Sequence, residues 1–174
     1  MEIAPVTTRK DLKAFIELPY QLYKHDPVWV APLRSEQKAQ FVPAKNPMLN
    51  HCEYVLFLAR KEGKVVGRIS AFLDRLALEH WQQPIGLFGS FECINDNEVA
   101  QGLLSAARDW LKSKGMIRMR GPWSFASQEW GMVVEGFEPS PVILGPYNPP
   151  WYNDFLVNFG MGKGDDLLVY VADV

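Results

Sequence analysis

The chain has few cysteines and histidines, no excess of charge of one sign and no long apolar run, and each shortage excludes something. Cys52 and Cys93 are too few and too far apart for a disulfide framework, so a reducing compartment is expected and the cytoplasm is the default address. His25, His51 and His80 show no HxxxH spacing and the cysteines no CxxC pair, so no metal site is expected. A formal net charge of −2 argues against a nucleic-acid partner or an anionic membrane surface held by bulk electrostatics. No apolar run approaches the ~20 residues that span a bilayer. Met1 to Thr8 lacks the basic and apolar regions of a signal peptide. Neither a G-x-S-x-G elbow nor a G-x-x-x-x-G-K-[ST] loop occurs, which removes the simplest hydrolase and nucleotide-triphosphatase readings.

What is present is an ordinary globular composition, 48% hydrophobic and 22% charged, in 174 residues, enough for one domain spanning 1–174. Glu2 to Thr7 reads as a strand. Thr8 and Asp11 form a capping pair ahead of Leu12, Phe15 and Ile16 at helical spacing, and Pro19 is expected to interrupt that helix or start a second one. His25 to Asn50 carries four prolines and reads as an irregular arm anchored by Trp29, with a short helix between Leu33 and Phe41. Tyr54 to Ala59 and Lys64 to Phe72 flank a Lys61-Glu62-Gly63 turn and predict a hairpin. Its first strand is apolar on both faces, so both sides of the sheet should be covered.

Ile85 to Ile94 predicts a further buried strand, with a bulge near Gly86 or Gly89. Asn95 or Asp96 then caps a helix, with Glu98 reaching back, and Val99, Leu103, Ala107, Trp110 and Leu111 form its apolar stripe. Gly115 stops it before a short strand, Met116 to Arg120, expected parallel to the strand near Phe91. Arg118 and Arg120 share one face of that strand. Asn148-Pro149 opens another helix whose buried face is read as Trp151, Phe155, Leu156 and Phe159, and Leu167 to Val171 is read as a last strand.

Three segments, YVLFLARKEGKVVGRISAF, GLFGSFECINDNEVAQGLLSAARDWLKSKGM and NPPWYNDFLVNFGMGKGDDLLVYV, together resemble the GNAT (acyl-CoA N-acyltransferase) superfamily. The resemblance runs from about Glu2 to Val171. It implies an α/β fold with a mixed central sheet flanked by helices and one β-α-β parallel crossover. GPWSFAS and PYNPPWY further resemble a bacterial GNAT-like group of unassigned substrate, whose members are often longer and carry a second GNAT-like half. An apolar last strand needs a neighbour, which implies a homodimer or such a C-terminal half.

The resemblance also implies site residues. The pyrophosphate of acyl-CoA would meet a [QR]-x-x-G-x-[GA] loop at Asn95, Glu98 and Ala100, with Asn97 between them. Only Ala100 conforms; Glu98 sets a carboxylate where a glycine belongs and reads as a helix-capping residue. Phe91 and Cys93 would lie along a pantetheine-like chain. The tyrosine that protonates the departing thiolate is replaced by Leu156, with Tyr152 one turn earlier as substitute or as a packed aromatic with its hydroxyl at the surface. Glu92 is the candidate general base or, alternatively, an outward or ion-paired carboxylate. Cys93 reads as a buried, inert thiol. The aromatic stretch from Gly121 to Tyr152 either covers the core or walls a pocket with Ser124, Ser127, Gln128 and Asn148 as polar contacts. Three functions follow: acyl transfer from acyl-CoA to a small-molecule or peptide amine, a non-catalytic GNAT-like domain that binds a ligand or a partner, or, ranked last, aminoacyl or lipid-linked transfer without a standard CoA loop.

Overall fold

The computed structural model describes residues 1–125, 131–142, 145–168 and 170. Five strands, β1 (Glu2–Pro5), β2 (Cys52–Lys61), β3 (Lys64–Asp74), β4 (Ile85–Cys93) and β5 (Arg118–Arg120), form one sheet in the order β1-β2-β3-β4-β5. Four pairings are made: three antiparallel, and β4 with β5 parallel. The sheet is mixed, as the resemblance implies. The β2–β3 turn is Glu62-Gly63, both at positive φ (51° and 75°), the geometry that matches strand twist in a two-residue hairpin.

Both faces of the sheet are covered. Helix α4 (Asn97–Ser113) lays Val99, Ala100, Leu103, Leu104, Ala107 and Leu111 on one face, against Ala59, Ile69, Ala71 and Phe88. Helix α1 (Arg9–Leu22) covers the other, where Phe15 and Ile16 meet Leu56, Leu58, Phe72, Leu87 and Phe125. The Pro-rich arm follows α1, carrying helix α2 (Arg34–Ala39), and Trp29 packs on the rings of Tyr20 and Tyr23 at 5.5 and 5.4 Å. Helix α5 (Trp151–Asn158) closes onto the α4 face.

Several expectations are corrected. Pro19 does not interrupt α1, which runs through it. A proline there has no N–H for the Phe15 carbonyl one turn earlier, and the Arg68 guanidinium donates to that carbonyl instead, at 2.8 Å. A helix α3 (Arg75–Trp81), which the pattern did not predict, starts at Asp74, whose carboxylate accepts from Leu76 and Ala77 N–H. At α4, Asp96 alone is the cap, accepting from Glu98 and Val99 N–H, and Glu98 does not reach back. On α5, Phe155 is buried as expected and Leu156 and Phe159 pack against the same core, but Trp151 is exposed and its neighbour Tyr152 is buried in its place. Leu167, Leu168 and Tyr170 are exposed and join no strand; Val169 and Val171 lie outside the described residues. Among the described residues no strand pairs with Leu167, Leu168 or Tyr170.

The decisive irregularity is a bulge in β4. Arg68 faces Glu92 and Ser70 faces Gly89, so Ser90 and Phe91 together oppose Ile69, with Ser90 at φ 47°. The extra residue reverses the alternation of the strand. Phe88, Phe91 and Cys93 all enter the core under α4, and Glu92 turns to the α1 side. Gly89 beside the bulge is hemmed in, since a Cβ there would stand 1.7 Å from the Trp123 carbonyl oxygen. Gly89→Ala is therefore expected to cost ~1–3 kcal/mol or more and lower Tm by several degrees. Gly162→Ala, in open space, should change Tm by less than ~2 °C. Equal melting temperatures for the two variants by differential scanning fluorimetry would contradict this packing.

Candidate functional site

Glu92, set by the bulge, lies at the centre of a buried polar cluster. Tyr23, the residue that closes α1, donates its hydroxyl to Glu92 Oε2. The Tyr152 hydroxyl stands 3.1 Å from the same oxygen and 3.1 Å from the Tyr23 hydroxyl. Arg68, the cross-strand neighbour of Glu92, brings its guanidinium within 3.9 Å of Oε1. Burial first, and then the Glu92 charge, push both tyrosines far above the ordinary tyrosine range, so they remain hydroxyl donors.

Tyr152 is fully buried, contrary to the surface placement of its hydroxyl considered above. Its oxygen accepts from Cys93 N–H at 2.7 Å and lies 2.9 Å from the Cys93 carbonyl oxygen. The β4 backbone around Cys93, assigned by resemblance to a pantetheine-like chain, is thus occupied by a side chain of the protein itself. The side chains of Phe91, Cys93 and Ala100 are buried in the core, whereas Asn95 and Asn97 are exposed at the start of α4. Beside them, Lys61 Nζ binds Asp96 at 2.7 Å and Glu98 at 2.9 Å. These contacts raise the Lys61 pKa and lower that of Asp96. The helix terminus that would cradle a phosphate is already neutralised by a three-charge cluster.

On the α1 side, Glu92 lines a groove of about 1140 Å³. Tyr20, Trp29, Trp123, Met132 and Tyr147 supply much of its apolar wall. Ser124 and Asn148 also line it, but Asn148 spends its amide on Val133, accepting from the N–H at 2.8 Å and donating to the carbonyl at 3.2 Å. Ser127 and Gln128 lie outside the described residues. Arg118 and Arg120 are spent at the surface, near Gln83 and paired with Asp165 respectively. Tyr23 and Arg68 escaped the sequence reading, because a tyrosine at a helix end and an arginine in a strand carry no motif. A second cluster, also unsignalled by spacing, joins His51, Cys52 and Asp74.

The surroundings of both thiols disfavour the thiolate. Burial, followed by Asp74, pushes Cys52 up to about 12, and burial, followed by Glu92, raises Cys93 further. In a Cys52→Ser background, alkylation of native Cys93 by iodoacetamide at pH 8 is expected to run at least ~100-fold slower than in urea. A native rate close to the unfolded one, followed by mass spectrometry, would show that the thiol is accessible and activated.

No protein-family model matches the chain. It is similar to Protein YghO of Escherichia coli (strain K12), at 40% identity over 163 residues, which covers 93% of this chain and 42% of that protein. It is also similar to the bacterial ceramide synthase of Caulobacter vibrioides (strain NA1000 / CB15N), at 36% identity over 175 residues, 99% of this chain and 46% of that one. The chain spans less than half the length of these curated relatives. Among the described residues no helix is long and apolar enough to cross a membrane. Among solved structures, a tandem GNAT protein from the clavulanic acid biosynthesis pathway superposes with a TM-score of 0.60 at 16% identity, covering 94% of this chain and 44% of its own. The aminoglycoside acetyltransferase AAC(6')-Iy, in complex with the bisubstrate analogue CoA-S-monomethyl-acetylneamine, does so at 0.55 and 14%, over 99% and 98%. These superpositions, over a five-stranded mixed sheet covered by helices on both faces, show that the chain has the GNAT fold.

Proposed function

We propose that this chain is the acceptor-holding, GNAT-fold part of an acyl-CoA-dependent N-acyltransferase, and that its acceptor is a long-chain amine. The observation that carries the reading is the position of Glu92: a carboxylate held by two tyrosine hydroxyls at the wall of a largely apolar groove. At about 1140 Å³ the groove exceeds the ~300–1,000 Å³ of ordinary small-ligand pockets and suits an extended molecule. The name of the Caulobacter relative, a ceramide synthase, supports an amine with an apolar tail. The solved AAC(6')-Iy complex supports CoA as the carrier of the acyl group.

In this reading the neutral amine attacks the thioester carbonyl, a C–N bond forms, and the C–S bond breaks with CoA as the leaving thiolate. The ammonium proton passes to Glu92, directly or through water. Tyr23 and Tyr152 are positioning residues. Proton donation by Tyr152 would leave a buried phenolate beside the Glu92 charge, which is the state its surroundings most disfavour. Long-chain primary amine at 100 Kd should stabilise the protein by ~2.7 kcal/mol, while the N-acetylated amine and a Glu92→Gln variant should show little shift. When acyl-CoA is supplied, Glu92→Gln is expected to lower kcat/KM by ~10²–10⁴-fold. A variant that binds and turns over like the parent would remove Glu92 from the reaction.

A specific observation favours a second reading, a non-catalytic GNAT-like domain. The α4 terminus is occupied by Lys61, Asp96 and Glu98, and the Cys93 backbone by Tyr152. Both readings predict that acetyl-CoA alone barely raises the Tm of this chain. They separate on the amine, since only the first expects Glu92-dependent binding of the amine itself. A clear thermal shift with acetyl-CoA would show that the occupied terminus yields to the cofactor.

A further inference from the structure

At the open end of the β2–β3 ladder, far from the Glu62-Gly63 turn, three donors of different chemistry converge. Cys52 and Asp74 are direct cross-strand partners. The preceding His51 is tied into the same frame, because its carbonyl accepts from Arg75 N–H at 3.0 Å. One donor atom from each of the three side chains lies within 4.8 Å of the others. His51 Nδ1 is 2.9 Å from Asp74 Oδ1 and 4.0 Å from Cys52 Sγ. The bonds from Leu76 and Ala77 N–H also fall on Oδ1 of Asp74, so the helix cap and the imidazole contact share one carboxylate oxygen.

We propose that His51, Cys52 and Asp74 form a binding site for a zinc-class divalent cation, with three protein ligands at the edge of the groove. Tetrahedral zinc, with Zn–N ~2.0–2.1 Å and Zn–S ~2.3 Å, sets neighbouring donors ~3.3–3.6 Å apart. The observed 2.9 and 4.0 Å bracket that spacing and the third pair lies within 4.8 Å, so shifts of up to about an ångström complete the site. A thiolate with an imidazole selects zinc or cobalt over magnesium and calcium, which prefer all-oxygen shells. The fixed backbone on both sides, cross-strand pair and Arg75 bond, limits the cost of ordering the ligands. His51 and Asp74 both line the groove, which leaves the fourth position for water or for an oxygen of a molecule bound there. The site is independent of the acyltransferase reading, and its test involves no turnover.

The probe is the metal alone. The purified chain, stripped with chelator, is titrated with Co²⁺ and followed by absorbance. One equivalent is expected to produce a thiolate-to-cobalt charge-transfer band that Zn²⁺ abolishes in a one-to-one competition. Cys52→Ser should lose that band, His51→Gln should weaken binding by at least ~10-fold, and Cys93→Ser should leave both unchanged. Saturating Zn²⁺ should raise the Tm of the parent and of Cys93→Ser but not of Cys52→Ser, whose circular dichroism spectrum checks that it is folded. Absence of a thiolate band in the parent, or a band that persists in folded Cys52→Ser, overturns the proposal and leaves a hydrogen-bonded cluster that only caps α3.

Discussion

The arrangement of the site depends on one extra residue. Had β4 kept strict alternation beyond Gly89, Glu92 would share a face with Phe88 and point into the apolar core under α4. A carboxylate there would lose its hydration with little to replace it, a cost of several kcal/mol. The bulge at Ser90 and Phe91 reverses the parity. Two aromatic residues and Cys93 fill the core, and the carboxylate turns to the groove side, where hydroxyls and a guanidinium meet it. The left-handed φ of Ser90 is the local strain that accompanies this reversal, offset by the packing on either side.

Glu92 is in turn linked to a helix it never joins. Pro19 removes one hydrogen bond from α1, and Arg68, directly across the ladder from Glu92, supplies the missing donor to Phe15. One guanidinium therefore completes a helix on one side and faces the site carboxylate on the other. Tyr23, at the end of the same helix, donates to that carboxylate. A proline that looks like a breaker in the sequence becomes the reason a charged side chain from the sheet is drawn under α1. The end of α1 is thus tied to the carboxylate in two ways, by the Tyr23 hydroxyl and by the guanidinium that holds the Phe15 carbonyl.

The legible part of the molecule was periodic. The hairpin from Tyr54 to Phe72, the α4 stripe from Val99 to Leu111 and the parallel neighbour at Met119 follow from apolar spacing and turn chemistry, and the resemblance to GNAT proteins rests on those same segments. Glu92 was visible because a carboxylate in an otherwise apolar strand is costly without a purpose. Tyr23, Arg68 and the His51–Cys52–Asp74 cluster were not visible, since each is assembled by cross-strand register or by an irregular end of an element. On α5 one of the four expected face residues differs: Tyr152, not Trp151, enters the core beside Phe155, Leu156 and Phe159. A short helix entered through two prolines has no side-chain cap to mark its start, and Tyr152, Phe155, Leu156 and Phe159 follow the i, i+3, i+4, i+7 spacing of a buried stripe.

The two sides of the sheet meet chemistry in opposite ways. On the α4 side, the groups that the resemblance assigns to acyl-CoA stand among contacts made from within: Asp96 takes two helix N–H groups, Lys61 answers Asp96 and Glu98, and the Tyr152 oxygen holds Cys93 N–H. Displacing these contacts would cost a ligand three ion-paired or hydrogen-bonded partners before it gained any. On the α1 side, the groove presents aromatic surface, a tethered carboxylate and a cluster of imidazole, thiol and carboxylate. Apolar surface left open in this way gains most from an apolar occupant, at roughly 25 cal/mol per Å² removed from water. In the acyltransferase reading, specificity would then rest on Glu92, the lining carboxylate held by two tyrosine hydroxyls, because a desolvated carboxylate discriminates strongly between a cationic and a neutral head on the same tail. The asymmetry is what separates the proposed acceptor role of the groove from a cofactor role on the α4 side.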